Sequence, residues 1–219
     1  LYQLHWPDRP INLFGGGLGY KHIKAETVAI SETLEVLNDL VKSGKIRYVG
    51  LSNETPWGLS EFLKSSELNT LPKIVSVQNA YNLLNRTYEQ GLSEFFYRSA
   101  VGLLAYSPIA QGYLTGKYLD GARPKGARTT LFERGLRYET AHAEEAIRAY
   151  VNYANERGMD PAVFANAFVN SREFVTSNII GATNMEQLKL AIHSYEVKLT
   201  DEDLVKIEEI HYRSPNPCP

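Results

Sequence analysis

Short apolar segments alternate along the chain with longer segments of helical spacing. The short segments indicate β-strands, because they are apolar almost throughout and end at turn residues. The longer segments repeat apolar residues every three or four positions, as at Ile30, Leu34, Leu37 and Val41, which predicts amphipathic helices. The predicted strands cover residues 1–5, 45–53, 73–79, 101–108 and 177–182. The predicted helices cover residues 26–43, 55–68, 89–99, 143–157 and 160–170, with two more beginning at about 184 and 200.

Several predicted helices have recognisable end signals. Thr55-Pro56 and Asp160-Pro161 each place a capping side chain before a proline at the first helical position. Gly44 follows the first long helix as a plausible C-terminal cap. Asn184 and Gln187 have the spacing of a capping box, in which the Gln187 side chain would bond back to the cap residue.

The order of these elements indicates an α/β protein. Strands and helices alternate, and the strands are continuously apolar, so we expect a parallel sheet with both faces buried by helices. The Gly-rich stretch FGGGLGY, at residues 14–20, does not lead from a strand into a helix. It therefore predicts a surface loop and not a dinucleotide-binding fingerprint.

The composition is that of an ordinary globular protein. Hydrophobic residues make up 43% of the 219 residues, charged residues 22%, and the net charge is -2, so neither nucleic acid nor an anionic membrane surface is an expected partner. The single cysteine, Cys218, cannot build a disulfide framework. No apolar run is long enough to span a bilayer. We expect a soluble, cytoplasmic protein without a membrane partner.

Polar residues follow the predicted strands. The carboxyl ends of parallel strands lie on one side of a sheet, and in a (β/α)₈ barrel that side carries the active site. One polar residue after a strand is usually only a turn residue, but five such ends favour a functional site. The strand-end residues are His5, Ser52-Asn53, Gln78-Asn79, Tyr106-Ser107 and Gly181-Ala182-Thr183.

Five stretches in this order resemble the second part of an aldo-keto reductase: LYQLHWP, GKIRYVGLSN, VQNAYNLLNR, LLAYSPIAQGYLTGKY and IIGATNMEQL. The most similar subgroup contains potassium-channel β subunits and bacterial Tas-type reductases. The resemblance implies a (β/α)₈ TIM barrel of which this chain supplies about the C-terminal five β/α units, with residues 1–219 as one incomplete domain. It also implies NADP(H) as cofactor and hydride transfer to the carbonyl group of an aldehyde or ketone.

The resemblance assigns roles to residues near the substrate and the nicotinamide. His5 matches the histidine that hydrogen-bonds and orients the substrate carbonyl, a role that suits a neutral imidazole. Ser52, Asn53 and Gln78 match the residues that hold the nicotinamide carboxamide. Tyr106 matches the aromatic residue that stacks on the nicotinamide ring. Trp6 and the Tyr20 region are the only indications of an aromatic wall for the substrate.

Other matched residues would bind the phosphates of the cofactor. Lys117 and Arg128 match basic residues near those phosphates, where charge and donor geometry favour Lys and Arg. The match also assigns Ser107, Pro108, Ile109 and Ala110 to the loop over the pyrophosphate. It assigns Gly181, Thr183 and Gln187 to the adenosine 2′-phosphate end, although Gln187 is also the predicted capping residue.

The chain departs from the family pattern in two places. Leu190 and Ala191 stand where the family has polar residues that contact adenine, so the preference for NADP over NAD would rest on Thr183, Lys117 and Arg128. The family's catalytic Asp and Tyr, spaced D-x-x-x-x-Y, have no match in this sequence, and neither has the catalytic Lys. Five strands cannot close a barrel of eight. We therefore expect a chain truncated before the fourth barrel strand.

Three functional hypotheses remain open at this point. The first is an NADPH-dependent reductase of small carbonyl compounds. The second is an NADP-bound regulatory or partner-binding module, as in channel β subunits. The third is an inactive, incomplete domain.

Overall fold

The computed structural model describes residues 1–12, 19, 21–132 and 136–219, with the side chain of Leu136 also left out. The predicted FGGGLGY loop and the Tyr20 aromatic wall therefore lie outside the described residues, apart from Gly19. Five strands occur in the described part: β1 Tyr2–Leu4, β2 Val49–Ser52, β3 Ile74–Ala80, β4 Gly102–Tyr106 and β5 Val175–Ile179. The α-helices there are α1 Ile30–Lys42, α2 Pro56–Asn69, α3 Glu94–Ser99, α4 Arg128–Leu131, α5 Ala143–Glu156, α6 Pro161–Asn170, α7 Met185–His193 and α8 Asp201–Arg213.

The five strands form one parallel sheet in chain order. This is the α/β class expected from the sequence, and it is consistent with part of a (β/α)₈ barrel. The described residues divide into two compact units. The first contains the residues before Ala80 together with Tyr88–Leu104, and the second contains Ala80–Thr87 and Ala105–Pro219. The expectation of a single domain stays a prediction.

In the first unit, the β1–β3 part of the sheet has one polar face. The strand register places Gln3 beside Gly50 and Gly50 beside Ser76, and two residues further along it places Ser52 beside Gln78. The prediction of continuously apolar strands is wrong here, although Ser52 and Ser76 are buried as expected. The polar side chains bond one another: Gln78 Nε2 donates to Gln3 Oε1 at 3.0 Å. The opposite face carries Leu4, Leu51 and Val77.

Helix signals in the first unit give a mixed result. The prediction at Thr55-Pro56 is confirmed: the Thr55 hydroxyl accepts from Gly58 N, and Pro56 begins α2. The helix predicted from residue 26 begins only at Ile30, the first residue of that stretch that is partly buried. The helix predicted from residue 89 begins at Glu94, because a 3₁₀ turn precedes it.

In the second unit the cap at Asp160 is confirmed, since its carboxylate accepts from Ala162 N at 2.7 Å. The predicted capping box at α7 is only half right. Asn184 Oδ1 accepts from Gln187 N at 2.9 Å, but Gln187 Oε1 accepts from Thr183 N and not from the cap residue. The side chain therefore reaches one residue beyond the cap. Strand β5 also ends earlier than predicted, at Ile179.

The last residues of the second unit bond to a distant turn of the same unit. Cys218 N donates to Leu84 O at 3.1 Å, and Arg86 N donates to Asn216 Oδ1 at 2.6 Å. Cys218 is fully buried. Throughout the described segments, every helix is too short or too polar to cross a membrane.

Candidate active site

The first unit brings four of the predicted site residues together at the ends of β1, β2 and β3. Asn53 Nδ2 donates to His5 O at 2.9 Å and to Ser52 Oγ at 3.2 Å. Ser52 Oγ in turn donates to Gln78 O at 2.8 Å. These side chains therefore fix the neighbouring strand ends to one another. Their predicted contact with a carboxamide stays a prediction.

Asn53 has a special backbone conformation in this group. Its φ of 55° is left-handed, a region in which Asn is tolerated better than most residues with side chains. The residue is 5% exposed, and its N–H donates to Gln78 O at 3.0 Å. Uncommon backbone conformations concentrate at functional sites, where the surrounding contacts hold them.

His5 is exposed at the end of β1, and its ring lies 5.0 Å from the ring of Trp6. Trp6 forms part of the wall of a cleft of about 520 Å³ within the first unit. That volume is in the usual range of small-molecule sites. Apolar and aromatic side chains make up half of the lining, and polar or charged side chains make up the other half; Trp6, Ile30, Trp57, Arg9 and Glu54 are among them.

An ion pair that the sequence did not reveal supports this cleft. The Arg9 guanidinium binds both carboxylate oxygens of Glu54, donates to Thr55 Oγ1 at 2.9 Å, and lies 4.8 Å from the centre of the Trp57 ring. Glu54 is 4% exposed. The Glu54 carboxylate also accepts from Thr55 N at 2.6 Å. The pair fixes the segment that follows His5 to the N-terminus of α2.

Gly58 makes room for this ion pair. A Cβ at this position would overlap the Glu54 carboxylate and the Arg9 guanidinium. Glycine therefore allows the charged groups to lie directly against the first turn of α2. No sequence signal pointed to the pair, because Arg9 and Glu54 are 45 positions apart.

The second unit contains the other predicted cofactor residues, beginning with Tyr106. This side chain is half-buried, and burial raises the pKa of its phenol. The charge and the hydrogen bond of Arg137 offset part of that effect. The phenol is therefore neutral at physiological pH, which is compatible with ring stacking.

The loop after β4 has left-handed backbone at two predicted cofactor residues. Ser107 has a φ of 58° and Ala110 a φ of 49°, and neither is a glycine. Ala110 N donates to Ser107 O at 2.9 Å, which closes a tight turn around Pro108 and Ile109. The sequence identified this loop only by its resemblance, since nothing in its composition predicts left-handed residues.

Lys117 is half-buried beyond this loop, with its ammonium group 5.2 Å from the centre of the Tyr118 ring. Gly112 has a φ of +98°, and a Cβ there would come within 2.9 Å of Lys117 Nζ. The glycine thus allows the lysine to lie across the turn. Arg128 is exposed at the start of α4.

Gly181, Thr183 and Gln187 are exposed in the second unit at the start of α7. Thr183 donates to Gln187 Oε1 from its backbone N at 2.9 Å and from its hydroxyl at 3.1 Å. The sequence left Gln187 with two competing roles. In the structure, the Gln187 side-chain oxygen accepts both hydrogen bonds from Thr183 and so closes the local turn. Leu190 and Ala191 are half-buried further along α7.

Comparison with known proteins identifies the chain. A family model described as the aldo/keto reductase family matches residues 1–211. The chain belongs to the aldo/keto reductase family. The predicted resemblance is thereby confirmed.

Similar members of this family differ in how much of their length the chain covers. Protein tas of Escherichia coli K12 is 47% identical over 220 residues, which cover 100% of this chain and 63% of that protein. An aldo-keto reductase of Babesia bovis is 36% identical over 99% of this chain and 81% of that protein. L-glyceraldehyde 3-phosphate reductase of E. coli K12 is 32% identical over 87% of this chain and 56% of that protein. The chain thus spans 63% of the length of the Tas protein.

The hydrogen-bonding and charged groups of this aldo/keto reductase chain are of the types that bind a nicotinamide dinucleotide. Amide and hydroxyl side chains in the first unit can hydrogen-bond a carboxamide. In the second unit, Lys117 lies beside glycine-rich, left-handed backbone of the type that approaches phosphates closely. Among the described residues, no group of three or more His, Cys, Asp or Glu side chains is arranged to hold a metal ion.

Proposed function

We propose that the protein reduces aldehydes and ketones to alcohols with NADPH, and that this chain supplies the carbonyl-orienting histidine and residues that hold the cofactor. Family membership supports oxidoreductase chemistry. The observation that carries the finer assignment is the network of His5, Asn53, Ser52 and Gln78 at adjacent strand ends. It holds polar groups together where a parallel α/β sheet binds ligands.

In this proposal, His5 orients the substrate. A ring N–H of its imidazole donates to the carbonyl oxygen, where negative charge develops during reduction. Asn53 holds the main chain of His5 and so fixes the position from which the ring extends. The bound cofactor would supply the hydride. We assign no proton donor within this chain, since its sequence has no D-x-x-x-x-Y pair.

Trp6 would form an aromatic wall for the remainder of the substrate, since the centre of its ring lies 5.0 Å from that of His5. An aromatic surface suits a planar or apolar group attached to the carbonyl carbon. In the second unit, Ser107–Ala110, Lys117 and Arg128 would contact the cofactor phosphates, and Thr183 with its neighbours would contact the 2′-phosphate. In this proposal, the preference for NADPH over NADH rests on Thr183, Lys117 and Arg128.

The decisive experiment uses the protein encoded by the complete reading frame. We expect NADPH absorbance to fall when aldehydes are added, faster than with NADH. His5→Ala should lower kcat by about 10²–10³-fold, the usual effect of losing one donor to a developing oxyanion. His193→Ala is the matched control, because His193 is exposed and contacts only Glu196 among the bonds described for it. Absence of carbonyl-dependent NADPH oxidation across a broad aldehyde panel would refute the proposal.

A further inference from the structure

Asn82 is a fully buried polar residue that the proposed chemistry does not use. It lies two residues after β3 in the second unit, with a relative exposure of 0%. Its side-chain nitrogen donates to Ser107 O at 3.0 Å and to Tyr138 Oη at 3.1 Å. Its side-chain oxygen accepts from Leu84 N at 2.9 Å and from Asn85 N at 3.1 Å. Both donors and both acceptor positions of the amide are therefore used.

The bond from Asn82 to Ser107 O holds the first left-handed residue of the loop after β4. Ser107 O accepts from Ala110 N as well as from Asn82 Nδ2. These two donors hold the carbonyl of a residue whose φ is left-handed without the freedom of glycine. Without the bond from Asn82, the backbone at Ser107 is free to adopt a more common conformation. The orientation of the loop that starts at Ser107 therefore depends on a side chain 25 positions away.

The turn that carries Asn82 is itself rigidly held. Asn82 and Asn85 exchange two backbone hydrogen bonds, at 3.1 and 3.0 Å. The second side-chain donor of Asn82 reaches Tyr138, which is 1% exposed. Two bonds to the chain end add a further anchor: Arg86 N donates to Asn216 Oδ1, and Cys218 N donates to Leu84 O. Because its turn is held in this way, the Asn82 amide can define the position of the Ser107 carbonyl that accepts from it.

We propose that Asn82 is a positioning residue for cofactor binding, which acts by holding Ser107–Ala110 in the conformation that receives the cofactor phosphates. The inference rests on the proposed function. It assigns to Asn82 no contact with substrate or cofactor. Its effect should appear in the affinity for NADPH and not in the affinity for the carbonyl substrate.

The chain offers a closely matched pair of substitutions. Asn82→Asp replaces the donating nitrogen with an oxygen, so the bond to Ser107 O is lost and an oxygen faces that carbonyl. Asn85→Asp introduces the same buried carboxylate in the same turn, at a residue that is 3% exposed. There the bonds from Thr87 N and Thr87 Oγ1 both end on the side-chain oxygen, so a carboxylate can still accept them. The two variants share the cost of a buried charge and differ in the donor to Ser107 O. At Tyr138, the other partner of the Asn82 nitrogen, the hydroxyl can donate to the new carboxylate instead.

The measurement is the dissociation constant of NADPH, with the KM of NADPH and of an aldehyde, for the protein from the complete reading frame. We expect Asn82→Asp to raise the dissociation constant and KM of NADPH about tenfold or more, with the KM of the aldehyde within about threefold. Asn85→Asp should keep all three values within about threefold, even if it lowers the melting temperature. Asn82→Ser, which removes the amide without adding a charge, should behave like Asn82→Asp.

The outcomes separate the two proposals. If the wild-type protein binds no NADPH, the proposed function itself is refuted. A wild-type protein that binds NADPH, with Asn82→Asp and Asn85→Asp equally affected, would overturn the positioning role alone. If neither Asn82 variant folds while Asn85→Asp does, Asn82 supports the whole unit, and the specific role is likewise rejected.

Discussion

Asp203 offers a sharp test of how the second unit is stabilised. It lies in the first turn of α8 with no exposed surface. One carboxylate oxygen accepts from Tyr153 Oη and Arg157 Nε, each at 2.9 Å. The other accepts from Thr200 N at 2.8 Å and Thr200 Oγ1 at 2.9 Å, which completes a capping box. Asn at this position would keep one accepting oxygen and turn an N–H group towards the donors on the other side.

The size of the effect follows from these contacts. A hydrogen bond to a charged group contributes about 1.5–3 kcal/mol, and breaking a buried ion pair costs about 3–5 kcal/mol. Arg157 is 36% exposed, so solvent weakens its part. We expect Asp203→Asn to lower the free energy of unfolding by about 3 kcal/mol. Asp201→Asn is the control, because Asp201 is exposed in the same helical turn and its charge contributes only about 0.3–1 kcal/mol.

Urea unfolding at neutral pH, followed by circular dichroism, measures both variants. A difference of less than about 1 kcal/mol between Asp203→Asn and Asp201→Asn would refute the reasoning, because the buried network would then add nothing beyond the helix dipole. An unchanged denaturant slope in both variants would show that the shift in midpoint reports stability alone.

The pH dependence supplies a second check on Asp203. Burial alone would raise the pKa of this carboxyl, but the bonds from Thr200, Tyr153 and Arg157 outweigh burial and lower the pKa below its usual value. A lowered pKa gives stability that is complete above the unfolded-state pKa, about 3.9, and is lost as the pH falls through the folded-state pKa. The gap between wild type and Asp203→Asn should therefore stay constant down to about pH 5 and shrink at lower pH.

Two further predictions concern buried groups elsewhere in the chain. Gly58→Ala should lower the free energy of unfolding by about 1–3 kcal/mol despite the better helix propensity of alanine, because its Cβ would displace Arg9 and Glu54. The control is Ser60→Ala, on the exposed side of the same helix, which should be neutral or stabilising in the same urea assay. Equal stability of the two variants would contradict the packing described. The Cys218 thiol should react with a disulfide reagent at pH 8 only after unfolding, because the thiol is buried and burial raises its pKa to about 11. Prompt stoichiometric reaction of the native protein would show that the residues around Cys218 open to solvent without unfolding.

Local signals in the sequence predicted local structure well. Thr55-Pro56 and Asp160-Pro161 begin helices as expected, because each capping side chain and the backbone N–H groups that donate to it lie within three residues of each other. The order of strands and helices, and with it the α/β class, was also predictable. The start of α1 was not predictable, because its N-cap residue Ala29 makes no side-chain capping bond and the neighbouring Val28 N donates to Asp8, 20 positions earlier in the chain.

Contacts between distant residues could not be read from the sequence. The Arg9–Glu54 pair and the Asn82–Ser107 bond join segments that are 45 and 25 positions apart. Neither residue pair has a local pattern that distinguishes it from ordinary surface or loop residues. The strand-end residues His5, Ser52, Asn53 and Gln78 were predicted together because parallel topology places such ends side by side.

The long-range bonds of the Asn82 turn also bear on how the protein is made. Arg86 N is bonded to the side chain of Asn216, 130 positions later in the chain. At a synthesis rate of roughly 5–20 residues per second, the interval between these two residues on the ribosome is on the order of ten seconds. During that time the turn lacks this additional anchor, so the side chain that donates to Ser107 O is held less firmly. The nascent chain should therefore acquire cofactor affinity only once Asn216 has been added, although β1 to β5 are all synthesised before it.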